Sequence, residues 1–280
     1  MTIYLRRISQ VIFLALFGYL IILTTSRAIG DYANDPHFLL RIIPVNLFFI
    51  SDPLTALATI LAMKTVKIAF IAALVMVIIS ILLGRVFCGW ACPLGTTMDL
   101  TNRLRGSSGI SDNKTNPRTL KWTKYLILTI ILIAALLGTN IAGWFDPITI
   151  AFRSFALTLY TSIDFLAKGL LDGVGAQKAT SSLGNIGLVS NNQVLFHNTL
   201  IFFLIFAGIM LAVFYQARFW CRYLCPLGGL LGILSKWRLL RMHTEPACNK
   251  CGKCIIVCKT GCLSKELKLE KEECIQCFAC

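Results

Sequence analysis

The sequence predicts an all-α integral membrane protein: four transmembrane helices arranged as two parallel repeats, followed by a small cysteine-rich C-terminal domain. Three observations predict it. Hydrophobic residues fill 56% of the 280 positions and charged residues 14%, with a mean hydropathy of +0.74, a composition outside that of soluble globular domains. Four windows lack Asp, Glu, Lys and Arg over roughly a bilayer thickness: Ile8 to Ser26, Ile68 to Gly84, Tyr125 to Phe145 and Asn198 to Ala217. The motif C-x3-C-P-L-G follows the second and fourth of them, at Cys88 to Gly95 and Cys221 to Gly228.

The first repeat occupies residues 1–100. Arg6 and Arg7 precede its opening window as they would a signal peptide, but the run is longer than a usual signal core and no A-x-A-like site follows it cleanly, so a retained span is expected. Asp52-Pro53-Leu54-Thr55 then opens an apolar helix to Met63, with Asp52 as N-cap and Pro53 at the first helical position. That helix is expected at the outer interface. The second window is the shortest, and Lys67 and Arg85 at its ends can snorkel to the headgroups.

A basic cytoplasmic loop, 101–123, separates the repeats. Residues 85–124 carry seven bases against two acids, whereas 146–197 carry three against three. The positive-inside rule therefore places both termini and the basic loop in the cytoplasm. Topology accounts for the net charge of +14, and nucleic acid is not an expected partner.

The second repeat, 124–240, copies the first. Asp146-Pro147-Ile148-Thr149 matches the earlier Asp-Pro-hydrophobic-Thr and opens a segment to about Ile163. Like order in both halves implies a pseudo-twofold axis along the membrane normal. Asp52 precedes Cys88 by 36 positions and Asp146 precedes Cys221 by 75, so the second repeat carries an insertion of about 39 residues, mostly the Gly/Ser/Asn-rich stretch Gly173 to Gln193. An outer loop is expected there. Lys236, Arg238 and Arg241 are expected to contact anionic lipid.

All twelve cysteines lie on the predicted cytoplasmic side, a reducing compartment where ligand-spaced thiols read as metal sites rather than disulfides. The tail 241–280 holds too few apolar residues to fold by burial alone, so metal is expected to hold it. Its run C-x2-C-x2-C-x3-C is that of a bacterial ferredoxin-like domain with two [4Fe-4S] clusters. Cys248, Cys251 and Cys254 are expected on one cluster, and Cys274, Cys277 and Cys280, completed by Cys258, on the other. The first cluster then wants a cysteine three residues past Cys280; either the natural chain continues, or Cys262 or a non-protein ligand fills the place. Lys259 stands where proline usually follows the fourth cysteine. Structural zinc is the alternative, yet two C-x2-C-x2-C runs fit cubes better than the paired spacing of a zinc ribbon.

Cysteines four apart share a helix face, but Pro93 and Pro226 disfavour helix at Cys92 and Cys225, so a break is expected at the second cysteine of each pair. If the repeat axis holds, Cys88, Cys92, Cys221 and Cys225 come together as a site for a further cluster or metal. Redox-active dithiols, or small buried residues at helix ends, are the other readings. No C-x-x-C-H occurs, the histidines are His37, His197 and His243 outside the spans, and no G-x-G-x-x-G follows a strand; neither haem nor flavin is expected.

The combination of four spans, two C-x3-C-P motifs and a C-terminal pair of cubane runs resembles the NapH/NosR-type membrane polyferredoxins over nearly the whole chain, and the NapH-like form more closely. The resemblance implies a multi-pass protein of the bacterial cytoplasmic membrane with N- and C-termini inside, in contact with lipid, relaying electrons from quinol toward a respiratory, periplasmic reductase through a partner ferredoxin-type or reductase subunit. Asp52 and Asp146 are candidate proton acceptors for quinol, with capping as the plainer role. The alternative is an accessory protein whose C-x3-C-P thiols bind or reduce a metal such as copper.

Overall fold

The computed structural model describes residues 2–29, 47–65, 70–104, 118–156, 199–240, 248, 251–264 and 266–280. Among them the structure is helical, with no strand beyond one isolated bridge between Leu263 and Leu269. The first repeat comprises α1 (Thr2–Ile29), α2 (Leu47–Ile50), α3 (Pro53–Met63), α4 (Ile71–Leu83), α5 (Val86–Trp90) and α6 (Pro93–Leu104). The second comprises α7 (Arg118–Leu136), α8 (Ala142–Phe145), α9 (Pro147–Ser154), α10 (Thr199–Tyr215), α11 (Phe219–Tyr223) and α12 (Pro226–Leu234). A short α13 (Lys253–Val257) lies in the tail.

The Asp-Pro helices start as their sequence dictates. Asp52 sits in extended backbone and accepts the Leu54 and Thr55 amides at 3.1 Å each. Asp146 accepts the Thr149 amide at 2.8 Å and its hydroxyl at 3.0 Å, satisfying first-turn donors that the helix cannot. Neither N-cap lies on a surface: both aspartates are wholly buried, because α3 packs against α4, α7 and α12, and α9 against α6 and α10.

The packing is duplicated. The pairs α1–α5, α1–α6, α3–α4, α4–α5 and α3–α12 have counterparts in α7–α11, α7–α12, α9–α10, α10–α11 and α9–α6. Each Asp-Pro helix therefore lies on the post-cysteine helix of the other repeat. One continuous apolar core joins Phe17, Phe48, Leu54, Ile148 and Ile150 to the cysteines of both C-x3-C-P motifs.

One boundary differs from expectation. The third window, Tyr125 to Phe145, is not one helix: α7 begins at Arg118 and stops at Leu136, Gly138 takes φ +85°, and α8 follows separately. Hydropathy misplaces the start because Lys121 and Lys124 belong to the helix, paired with Glu270 and Glu273 of the tail. α9 spans Pro147–Ser154 and passes into a π turn at 155–156; the expected continuation to about Ile163 and the insertion fall in residues 157–198, outside the described residues. Among the described residues Ile3–Ile21 is long and apolar enough by itself to cross a membrane, while α3, α4 and the Ile201–Tyr215 part of α10 are shorter apolar helices.

Candidate iron-sulfur centre

Each C-x3-C-P motif folds as a five-residue helix, a break and a new helix. α5 ends at Trp90 and α6 starts on Pro93; α11 ends at Tyr223 and α12 starts on Pro226. The missing proline N–H falls where a helix needs none. Cys225 then caps α12, its Sγ accepting the Gly228 amide at 3.2 Å, and Cys92 takes the matching bond from Gly95.

All four thiols, Cys88, Cys92, Cys221 and Cys225, are buried in the shared core and lie within electrostatic reach of one another. Burial first, and then the neighbouring Cys221 and Cys88, push the Cys92 and Cys225 thiols well above their ordinary value. Burial also pushes Cys221 up to about 11. A thiol so placed is protonated unless something positive takes the charge.

Two arginines supply positive charge, and they cross over. Arg85, from the first repeat, reaches the Cys221 carbonyl of the second at 3.5 Å. Arg218, from the second repeat, donates to the Cys88 carbonyl of the first at 2.7 Å. Both are fully buried. The final glycine of each C-P-L-G makes room: a Cβ on Gly228 would stand 2.5 Å from Arg85 Nη2, and one on Gly95 would stand 2.9 Å from the Cys88 carbonyl oxygen. Burial opposes the charge on Arg85, but Cys88, Glu273, Cys225 and Cys221 outweigh it and leave its pKa raised.

Asp99 of α6 anchors this arrangement. Its carboxylate accepts Arg218 Nε at 3.0 Å and Nη2 at 2.9 Å, Arg6 at 2.6 Å, Gln10 at 3.0 Å and Lys259 at 3.0 Å. Burial would raise its pKa, yet Arg218, Lys259 and Arg6 hold it well below the usual carboxylate range. Glu273 plays the like part on the other side, bonded to Arg85 at 3.3 Å and to Lys124.

The tail docks on the first motif. Trp90 Nε1 donates to the Gln276 carbonyl at 3.0 Å, Arg6 to the Cys277 carbonyl at 3.4 Å and Arg85 to the Glu272 carbonyl at 2.9 Å. Gly89 meets the Ile275 carbonyl so closely that a Cβ would stand 2.5 Å from its oxygen. Ile275 and Cys277 thereby join the core that holds the four thiols.

Cys258, Cys262, Cys274, Cys277 and Cys280 line one small pocket. Gln276 at φ 51° and Phe278 at φ 51° turn the backbone between the last three. Cys258 and Cys262 lie Sγ to Sγ at 3.4 Å. Hydrogen bonding with Cys262 holds Cys258 and Cys274 below the ordinary thiol value, while the same contacts and burial push Cys262 up. Cys262 therefore stands beside Cys258 and Cys274. Of the first run, Cys248 and Cys251 are exposed and Cys254 half-buried.

Two buried cations lie beside Cys258, Cys262 and Cys274. Arg238 is 1% exposed, lies against Cys274, and none of its three guanidinium nitrogens meets an oxygen or nitrogen acceptor. It is not at the lipid surface, where the sequence places it. Arg222 faces Cys258 and Cys262, with Nε and Nη1 likewise without an acceptor. Orphaned buried N–H groups around sulfur ligands fit an anionic, sulfur-rich group, whose potential depends on such bonds. Among the described residues no three His, Cys, Asp or Glu side chains are gathered as a single metal ion requires; thiols set around a space suit a cube better than zinc.

Comparison with known proteins agrees. A family model described as a 4Fe-4S binding domain matches residues 67–111 and again 198–244, the segments that carry the two C-x3-C-P motifs. The ferredoxin-type protein NapH of Haemophilus influenzae is 26% identical over 98% of this chain and 84% of its own length. NapH of Escherichia coli is 26% identical over 75% of this chain, which spans 60% of that protein. The chain is a relative of the NapH and MauN ferredoxin-type proteins. The methylamine utilization ferredoxin-type protein MauN of Methylorubrum extorquens is 26% identical over 91% of this chain and 73% of its own length. The twice-matched 4Fe-4S model and the likeness to NapH and MauN support an iron-sulfur electron-transfer protein. No solved structure matches it.

Proposed function

We propose that the chain crosses the membrane four times, through α1, α4, α7 and α10, and relays electrons from a membrane quinol toward a respiratory reductase by way of a partner redox subunit. The observation that carries this reading is the seating of the Cys274–Cys280 loop on the Cys88 helix, which packs Cys277 against the buried core of the C-x3-C-P thiols. In this reading Cys274, Cys277, Cys280 and Cys258 hold one [4Fe-4S] cluster, Cys248, Cys251 and Cys254 hold another at the exposed end of the tail, and Cys88, Cys92, Cys221 and Cys225 hold a third. Bound there, the clusters supply one-electron chemistry.

The protein's own residues do the rest. Arg85 and Arg218 offset the charge of four thiolates in a dry core, where unpaired charge is costly. Arg222 and Arg238 direct unused N–H donors at sulfur, which favours the reduced state. Asp99 and Glu273 hold those cations in place. Cys248 and Cys251, being exposed, suit exchange with a soluble or peripheral partner.

The names of the relatives support ferredoxin-type electron transfer. Burial of all four C-x3-C-P thiols speaks against dithiol exchange with a copper carrier. The test is the anaerobically purified chain in detergent, mixed with a quinol analogue and read by low-temperature EPR. Cubane signals that appear with quinol, and fail to appear in Cys88→Ser, support the relay; signals indifferent to quinol require another donor.

A further inference from the structure

The two Asp-Pro helices meet at their N-caps. Asp52 and Asp146 hold equivalent places in the two repeats, both are wholly buried, and their side chains are within hydrogen-bonding reach of each other. Asp52 spends its oxygens on the Leu54 and Thr55 amides, and Asp146 Oδ2 accepts the Thr149 amide and hydroxyl. Asp146 Oδ1 accepts from no N–H or O–H group. The Asp52 carboxyl lies within reach of the same side chain.

Carboxyl oxygens in hydrogen-bonding contact need a proton between them, since two carboxylates at that range repel and an ionised carboxylate has only acceptors. Elsewhere in this fold, buried acids meet cations. Among the described residues none is bonded here: Lys121 and Lys124 of α7 pair with Glu270 and Glu273, Asp99 of α6 takes Arg6, Arg218 and Lys259, and Arg153 of α9 lies over the Trp144 and Phe202 rings. Two helix N-termini converge on the pair, and their amides suit one negative charge better than two.

We propose that Asp52 and Asp146 form a single proton-binding site where the two repeats meet, with one proton carried on Asp146 Oδ1 and donated to the Asp52 carboxylate. The ligand is the proton itself. Gaining it forms the Asp146 O–H bond and brings the pair from two negative charges to one; losing it returns the proton to water and sets two carboxylates against each other, parting α3 from α9. Neither carboxyl is exposed, so the pair accepts protons through neighbours or water rather than directly from a quinol. The site does not depend on the quinol reading.

The test is infrared spectroscopy of the detergent-solubilised, cluster-loaded protein near neutral pH, read at the carbonyl stretch of a protonated carboxylic acid. The expected result is one such band, shifted in deuterium oxide and lost in Asp146→Asn, whose amide can donate in place of the hydroxyl and keep the fold. Asp52→Asn is expected to lose the band as well, because its amide donates to an ionised Asp146. A wild-type protein without the band overturns the proposal whether or not either variant folds. So does a band that survives in both variants.

Discussion

Replacing Asp99 by Asn removes one carboxylate that serves three cations, and the size of the loss follows from burial. Arg6, Arg218 and Asp99 are each no more than 5% exposed, and Arg218 meets both carboxylate oxygens, at 3.0 and 2.9 Å. Removing one member of a buried charge pair costs about 3–5 kcal/mol, because the partner remains desolvated and unpaired. Asn keeps one acceptor oxygen, so the lower end, about 3 kcal/mol, is expected. The assay is thermal unfolding in detergent, together with hydrogen exchange at α11 and over residues 258–280. Protection should fall in both, since Asp99 ties α1, α6, α11 and Lys259 together. Lys236→Ala is the control. Its pair with Glu272 spans 3.5 Å with both side chains exposed, and a loss below about 0.5 kcal/mol is expected. The pH dependence has a definite sign. Asp99 is depressed in the folded state, so its contribution is fully present above the ordinary carboxylate value near 4 and disappears as pH falls through the lower folded value. The gap between wild type and Asp99→Asn should therefore close in strong acid, and should narrow again toward alkaline pH as Lys259, held at about 8 with Asp99 beside it, loses its proton more readily in the variant. An Asp99→Asn loss under about 1 kcal/mol would refute the network as drawn.

Gly89→Ala must push the Ile275 carbonyl away from a Cβ at 2.5 Å, at a cost of about 1–3 kcal/mol; faster exchange of the Cys274–Cys280 amides checks it. Arg238→Met removes a buried guanidinium beside Cys274 and should make the adjacent centre harder to reduce, seen as a more negative midpoint in an EPR-monitored redox titration. Cys258→Ser should abolish one cubane signal and Cys262→Ser should leave it in place with an altered line shape; the reverse outcome makes Cys262 the fourth ligand.

What the sequence revealed were features written in short stretches. Asp52 and Asp146 are N-caps because Asp-Pro can cap the helix it begins. The breaks at Cys92 and Cys225 follow from the prolines after them, and the repeat from spacing alone. Contacts across the repeat axis were illegible. Arg85 and Arg218 read as end-of-span bases, yet each serves the cysteine motif 130 or more positions away. Asp99 looked like one acid in a basic loop, and its partners come from α1, α11 and the tail. Arg238 carries a charge that hydropathy places at a lipid headgroup, whereas the tail folds over it and buries it. A cysteine at 262, four past Cys258, offered no local sign of which cysteine run it would join. One signal was available: charged residues that recur beside matched motifs, as Arg85 and Arg218 do, mark positions that a repeat axis brings together.

The most direct test of the central claim, that the C-x3-C-P motifs and the tail together form one iron-sulfur system, is an iron and acid-labile sulfide count on anaerobically purified wild type and the Cys88→Ala/Cys221→Ala variant. The predicted result is a loss of one cube's worth of iron and sulfide in the variant, with the tail's EPR signals retained when dithionite, not quinol, is the reductant. Equal iron in both proteins would contradict it, and would leave the four buried thiols without a cluster.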